Sequence, residues 1–337
     1  MRIFYSLSYN PTLDTAPQSF GMDKIVTVRR SSDWGKTGTK KYLFYFKEAL
    51  SLMRQAHKFD VLVICTVGME AFVVGRLKKL LCPNTKVILA DFLMPQESTA
   101  VRLVRSWLNG LDGFVCIRRG DIPVLERRFG IPAGKCHFAF FPVSLPAGNI
   151  GTDQGNYIYS AGSAHRDWPT LIVALAQLSY KAILSVDIPV QVPEDAKQRI
   201  QVLPMQSPEE GRKLMAAAKI VVLSLEDTEL PSGPLVLLDA MAAGKAVVAT
   251  KVNGTVDYVK DGVNGYLTAP KDSSALAATI ASLMEDEALR EKLGQTAREM
   301  AIKQFTQDAF FQAVFSACKQ VCGTKPFIQV SSERGEE

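Results

Sequence analysis

Two α/β domains, each a doubly wound parallel sheet and facing one another across a cleft, are what this sequence predicts. Three observations lead there. Short β-branched apolar runs alternate with helix-like segments almost from end to end. The strand runs are apolar throughout instead of every second residue, as in parallel sheets covered on both faces. A Gly- and Pro-rich stretch at 145–156, LPAGNIGTDQGN, divides the alternation near its middle. A length of 337 residues is large for one domain and suits two.

In the first half RIFYS, KIVTV, DVLVICT, KVILAD and GFVCI read as strands, and KCHFAFFPV closes the half as a last one. Between them helices are expected at 42–57, 69–81, 99–108 and 122–129. The second half repeats the pattern with NYIYSAG, KAILSV, IQVLP, IVVLSL and KAVVAT, and helices at 168–178, 208–217, 235–243 and 273–285. Charged helices at 288–304 and 307–321 follow, and the polar end SSERGEE is expected to be disordered. The expected organisation is a first domain at 1–145, a linker at 146–156, a second domain at 157–322 and a tail at 323–337. The last helix of the second domain is free to cross back to the first.

Charge divides the same way. Residues 1–145 carry 21 Lys and Arg against 11 Asp and Glu, net +10; the remainder carries 18 against 23, net −5. The six cysteines are scattered and only three histidines exist, so no zinc constellation can be drawn and buried thiols in a reducing compartment are expected. No signal peptide is seen at MRIFYSLSYN, and no run of 18 apolar residues occurs. The expectation is a cytoplasmic protein.

The most informative stretch is SGPLVLLDAMAAGKAVVAT at 232–250. Ser232, Gly233 and Pro234 form a helix start: Ser can cap, Gly admits a ligand to the backbone and Pro fits the first turn. Free N–H groups at such an end favour a phosphate. Asp239 lies seven residues on, about two turns at ~3.6 residues each, and leans back towards that end. A carboxylate there would repel a phosphate but accept hydrogen bonds from sugar hydroxyls beside one. A structural Asp bonded to a neighbouring loop is the alternative.

DAMAAGKAVVAT, followed by NGTVDYVKDGVNGYLTAPKD, resembles the C-terminal domain of family-4-type glycosyltransferases of the GT-B fold. The likeness covers roughly 155–310; the first half shares only the alternation. It implies a nucleotide-sugar donor site in the second domain and an acceptor-binding first domain. Asp239 stands where the family has the second Glu of its Glu-x7-Glu motif, on the ribose hydroxyls. The first Glu falls at Pro231, with Glu229 two residues early. After NYIYSAG the family has a Gly-Arg-Leu then Lys-Gly pattern, here Gly162-Ser163-Ala164-His165-Arg166-Asp167. Gly162 matches, Ser163 replaces the family Arg, and Arg166 takes the approximate place of the Lys that neutralises the leaving diphosphate, a role that lowers the barrier. Asp167 is also suited to cap the helix at Trp168-Pro169. Lys251 and Asn253 lie near the donor in the family pattern, with plain surface polarity as the alternative.

In the acceptor half, Asp91 at the end of KVILAD is the candidate base, with Glu70 and Glu97 weaker alternatives. A cap of the turn after the strand is equally compatible. Arg76, Lys78, Lys79, Arg102 and Arg105, mixed with Leu, Val and Trp107, suit a peripheral contact with anionic lipid at the inner face of a membrane, or simply solvated helix faces. No nucleic-acid-binding motif accompanies the charge. The resulting expectation is a metal-independent, cofactor-free glycosyltransferase that moves a sugar from a UDP-sugar or related donor to a glycan or lipid-linked acceptor in polysaccharide or glycoconjugate synthesis. The rivals are a non-catalytic nucleotide-sugar or glycan binder and a nucleotide-sugar epimerase of the same fold.

Overall fold

The computed structural model describes residues 1–7, 24–29, 38–65, 69–91, 94, 98–143, 155–230, 232 and 235–323. The first sheet contains β1 (Arg2–Leu7), β2 (Lys24–Arg29), β3 (Val61–Cys65), β4 (Lys86–Ala90), β5 (Gly113–Cys116) and β6 (Cys136–Phe138). Its order is β2-β1-β3-β4-β5-β6 and the paired strands run parallel. All five residues of β3 are buried, as an apolar run covered on both faces must be. Helices α1 (Gly38–Ala56), α2 (Glu70–Leu81), α3 (Thr99–Val104) and α4 (Asp121–Phe129) accompany it.

The second sheet contains β7 (Tyr157–Ala161), β8 (Lys181–Val186), β9 (Ile200–Pro204), β10 (Ile220–Leu223), β11 (Ala246–Thr250) and β12 (Tyr266–Thr268), in the order β12-β11-β10-β7-β8-β9. Its helices are α5 (Trp168–Ala176), α6 (Pro208–Ala217), α7 (Leu235–Ala242), α8 (Ser273–Glu285), α9 (Glu287–Gln304) and α10 (Gln307–Val321). Five of them start at a side-chain cap: Asp167, Ser207, Asp272, Asp286 and Thr306 each accept from the N–H three residues on.

Some elements depart from the sequence expectation. The segment 99–108 breaks into α3 and a 3₁₀ turn, Arg105–Gly110. There the chain runs backbone to backbone against α2: a Cβ on Gly75 would lie 2.2 Å from the Trp107 carbonyl oxygen. KCHFAFFPV pairs only over Cys136–Phe138, because Phe140 then turns into an aromatic seam with Phe138, Tyr258 and Phe305. The short edge strand β12 has no counterpart among the expected strands. Most of the 146–156 stretch and all of 324–337 lie outside the described residues.

The aromatic seam joins the two sheets. One buried cluster runs without interruption from Ile3, Val63 and Val115 of the first sheet to Val221 and Val247 of the second, through Tyr258, Phe305 and the α10 phenylalanines. Helix α10 packs on β4, β5 and β6 of the first sheet, and the Val143 N–H donates to the Phe305 carbonyl at 2.9 Å. The opposite faces are covered separately, by residues of α1, α2 and α4 on the first sheet and of α5 and α8 on the second.

Candidate functional site

Chain order in the second sheet reverses between β7 and β10, and ligands of open parallel sheets bind at the carboxyl ends beside such a reversal. The loops leaving these strands are stitched together. Arg166 and Leu225 form an antiparallel bridge, the Glu226 N–H donates to the His165 carbonyl at 2.9 Å, and the Asp167 N–H donates to the Ser224 carbonyl at 3.0 Å. From β11, the Thr250 hydroxyl accepts from the Leu225 N–H at 2.9 Å.

Arg166 sits within this knot, 8% exposed. Its Nε donates to the Ala161 carbonyl at 2.8 Å and an Nη to the Ala164 carbonyl at 3.4 Å. The described residues give it no ion pair, and burial, opposed by Asp187, pulls its pKa down to about 10. The guanidinium lies across Gly162, whose φ of 120° favours glycine and where a Cβ would meet Nη2 at 2.1 Å. A buried cation satisfied only by carbonyls retains the capacity to pair with an anion. Asp167 caps α5, accepting from the Thr170 N–H at 3.2 Å and the Thr170 hydroxyl at 2.7 Å.

Asp239 is partly buried on α7, one element beyond β10. Among the described residues its carboxylate has no hydrogen-bond or ion-pair partner. Burial raises its pKa from 3.8 to about 6, with Arg212 pulling the other way. Ser232 is buried against the loop after β11, where a Cβ on Gly254 would lie 2.6 Å from its Oγ. Pro231, Gly233 and Pro234 lie outside the described residues. Lys251 is exposed, and its backbone N–H continues the pairing to Thr268 at 2.8 Å.

Three of the candidate residues have contacts that the sequence does not show. Asn253 lines the interdomain cleft and its Nδ2 donates to Asp121 Oδ1 at 2.9 Å, across the domain boundary, while its own Oδ1 is buried without a partner among the described residues. Asp91 is not presented to the cleft. It is 1% exposed, with φ 51° and its N–H on the Val115 carbonyl at 3.0 Å. It lies beside the buried Tyr5 and Tyr258 and contributes to raising both their pKa values, for which burial is the main cause. Glu229 pairs with Arg127 on α4 and lines the interdomain cleft. Of the alternatives in the first domain, Glu70 is buried at 4% and Glu97 lies outside the described residues.

The residues that sequence reasoning missed are those joining the domains. Arg118, 1% exposed, makes paired bonds to Asp121 at 2.9 and 2.7 Å and a third to the Leu230 carbonyl at 3.3 Å. Burial raises the Asp121 pKa, outweighing Arg118 and Asn253. Arg119 lies 3.7 Å above the Phe138 ring and holds Asp257 by its side chain at 2.9 Å and its backbone N–H at 2.7 Å. The Tyr258 hydroxyl donates to the Ile117 carbonyl at 2.7 Å. The only local signal is the pair Arg118-Arg119 directly after a fully apolar strand. Beside these contacts an open cleft of about 650 Å³ separates α4 from the 227–229 and 253–257 loops.

Two facing parallel sheets with this crevice define a class: the fold is GT-B. Residues 194–300 match the family model glycosyl transferases group 1. Among curated relatives, the N-acetyl-alpha-D-glucosaminyl L-malate synthase of Bacillus anthracis is 33% identical over 96 residues, 28% of this chain and 24% of that protein. The lipopolysaccharide core biosynthesis glycosyltransferase LpsE of Rhizobium meliloti is 28% identical over 118 residues, 35% of this chain and 33% of that protein. The matched stretches thus span a third or less of these relatives' own lengths. Anabaena HepE, solved with UDP, superposes with a TM-score of 0.67 at 18% identity, over 96% of this chain and 99% of that one. That likeness is one of fold.

Proposed function

We propose that this chain is a glycosyltransferase that moves a sugar from a UDP-sugar to a glycan or lipid-linked acceptor, without a metal or cofactor. One observation carries the reading. At the switch point of the second sheet a buried arginine after β7, without a carboxylate partner among the described residues, and, on α7 after β10, an unpartnered carboxylate offer complementary contacts to a nucleotide diphosphate. Arg166 meets the diphosphate, whose charge grows as the sugar leaves. Asp239 accepts from the ribose hydroxyls, with Gly162 and Ser232 shaping the floor. HepE has been solved with UDP-glucose as well as UDP, in support of a uridine donor.

The acceptor side is the first domain. Leu80 and Leu103 stand 78% and 74% exposed among Arg76, Lys79, Arg102 and Arg105. That surface suits an anionic lipid interface near a lipid-linked acceptor. Lys78 does not contribute, being buried on Asp112 at 2.8 Å. Among the described residues no helix is long and apolar enough to cross a membrane.

A thermal-shift and calorimetric screen of UDP, GDP and their hexose conjugates tests the donor, since a ligand of the native state raises Tm. UDP-sugars should stabilise the protein, and Asp239→Ala should abolish the shift. Labelled-sugar transfer to lipid and glycan acceptors then separates an enzyme from the non-catalytic binder; binding without turnover favours the binder. Sedimentation with phosphatidylglycerol vesicles, and its loss in Leu80→Asp/Leu103→Asp, tests the membrane contact.

A further inference from the structure

We propose that Glu226 reads the hydroxyl groups of the donor's sugar and that His165 is its positioning residue. This rests on the UDP-sugar reading of the same crevice. The two residues leave adjacent strands, β7 and β10, at the point where the sheet order reverses, and their backbones are joined by the Glu226 N–H to His165 carbonyl bond of 2.9 Å. Their side chains face one another, His165 Nδ1 lying 3.7 Å from Glu226 Oε2. At that distance the carboxylate is steered without being saturated, and its side chain remains 53% exposed.

Other acids of these loops are committed elsewhere. Glu229 pairs with Arg127 of the first domain, Asp167 caps α5, and Asp227 lines the interdomain cleft. Glu226 stays beside the switch point, next in space to the buried Arg166 whose bridge partner, Leu225, precedes it. A diphosphate on Arg166 places the attached sugar within this loop pair's surroundings. An ionised carboxylate offers two acceptor oxygens to neighbouring hydroxyls, a contact that free UDP lacks.

His165 also carries backbone strain. Its φ of 52° is left-handed, which a non-glycine residue holds only where the surrounding structure imposes it. Here the imposing contacts are the Arg166–Leu225 bridge, the Glu226 N–H on the His165 carbonyl, and the Arg166 guanidinium on the preceding Ala164 carbonyl. The left-handed turn sets where the His165 side chain leaves the loop, with Nδ1 3.7 Å from Glu226 Oε2.

The test is calorimetric titration of UDP, UDP-glucose and UDP-N-acetylglucosamine into the unaltered protein, Glu226→Gln and His165→Asn. The expected result is UDP affinity held within about twofold, while the best-bound UDP-hexose weakens about tenfold in Glu226→Gln, the scale of a charged hydrogen bond. His165→Asn should lose part of that discrimination with Tm unchanged, since Asn tolerates a left-handed φ. If Tm falls, His165→Gly, free to adopt that φ, must show the same selective loss. Equal weakening of UDP and UDP-hexose, or an unchanged ratio in Glu226→Gln, overturns the proposal. Failure of the unaltered protein to bind UDP overturns the donor-site reading, and this assignment with it.

Discussion

The two sheets share strand count and parallel sense, yet they treat charge at their carboxyl ends in opposite ways. In the first domain the ionic groups past the strands are consumed: Arg118 after β5 pairs with Asp121, and Asp91 after β4 is sealed at 1% exposure. In the second, Arg166 is answered only by carbonyls, and Asp239 has no partner among the described residues. Paired buried charges hold a structure in one arrangement, whereas unpaired ones are tolerated where a ligand completes them. The first set therefore reads as the fastening between domains and the second as the place a ligand enters.

The sharpest way to break that comparison is to remove a fastening charge. Asp121→Ala strands the buried Arg118 guanidinium and should lower unfolding free energy by about 3–5 kcal/mol, measured by urea titration. A loss under ~1 kcal/mol would show the pair to be no fastening. Arg166→Ala should act mainly on function: roughly a hundredfold loss of transfer rate, in line with deleting one transition-state donor, with Arg166→Lys recovering a part. A normal rate in Arg166→Ala would remove the diphosphate role.

Asp239 gives a pH-dependent test. Its folded pKa, about 6, stands above the ordinary 3.8, so ionisation opposes folding. The penalty is complete above about pH 6 and gone below about 3.8. Asp239→Asn should therefore stabilise the ligand-free protein by about 3 kcal/mol at about pH 8 and leave it unchanged at about pH 3.5. The same variant should weaken UDP-glucose binding in the alkaline range, whereas the unaltered protein should weaken as pH falls through about 6. Equal stability of the two proteins at both pH values would show the carboxylate to be solvated. The smallest effect is at α5: Asp167→Ala, which removes a cap without touching the crevice, should cost about 1 kcal/mol and leave UDP binding intact.

Much of the fold is legible in the sequence because it is written in local pattern. Residues 208–217, 273–285 and 307–321 fold as helices over the spans their sequence predicts. The sequence also singles out Arg166, in the short loop after β7, and Asp239, seven residues after Ser232 on one helix face. Asn253 and Asp91 have neighbours that the sequence does not show, for a shared reason. Both stand in the right place along the chain, but their surroundings come from elsewhere: Asp121 is 132 residues from Asn253, and Tyr258 is 167 from Asp91. His165 reads along the chain as a solvated loop residue, since neither its strained φ nor its carboxylate neighbour has a sequence signature.

By itself, then, the order of apolar and polar residues determined two doubly wound sheets, most of their helices and the Asp167 cap. Periodicity and capping act within a few residues, so a single chain displays them. Which charges pair, which stay open and how α10 fastens one domain to the other were decided only in the tertiary structure. Coulomb energy and desolvation depend on distance and burial in space. Arg118 and Arg166 are the same residue type past a buried strand, and only their neighbours pair the one with a carboxylate and leave the other on carbonyls.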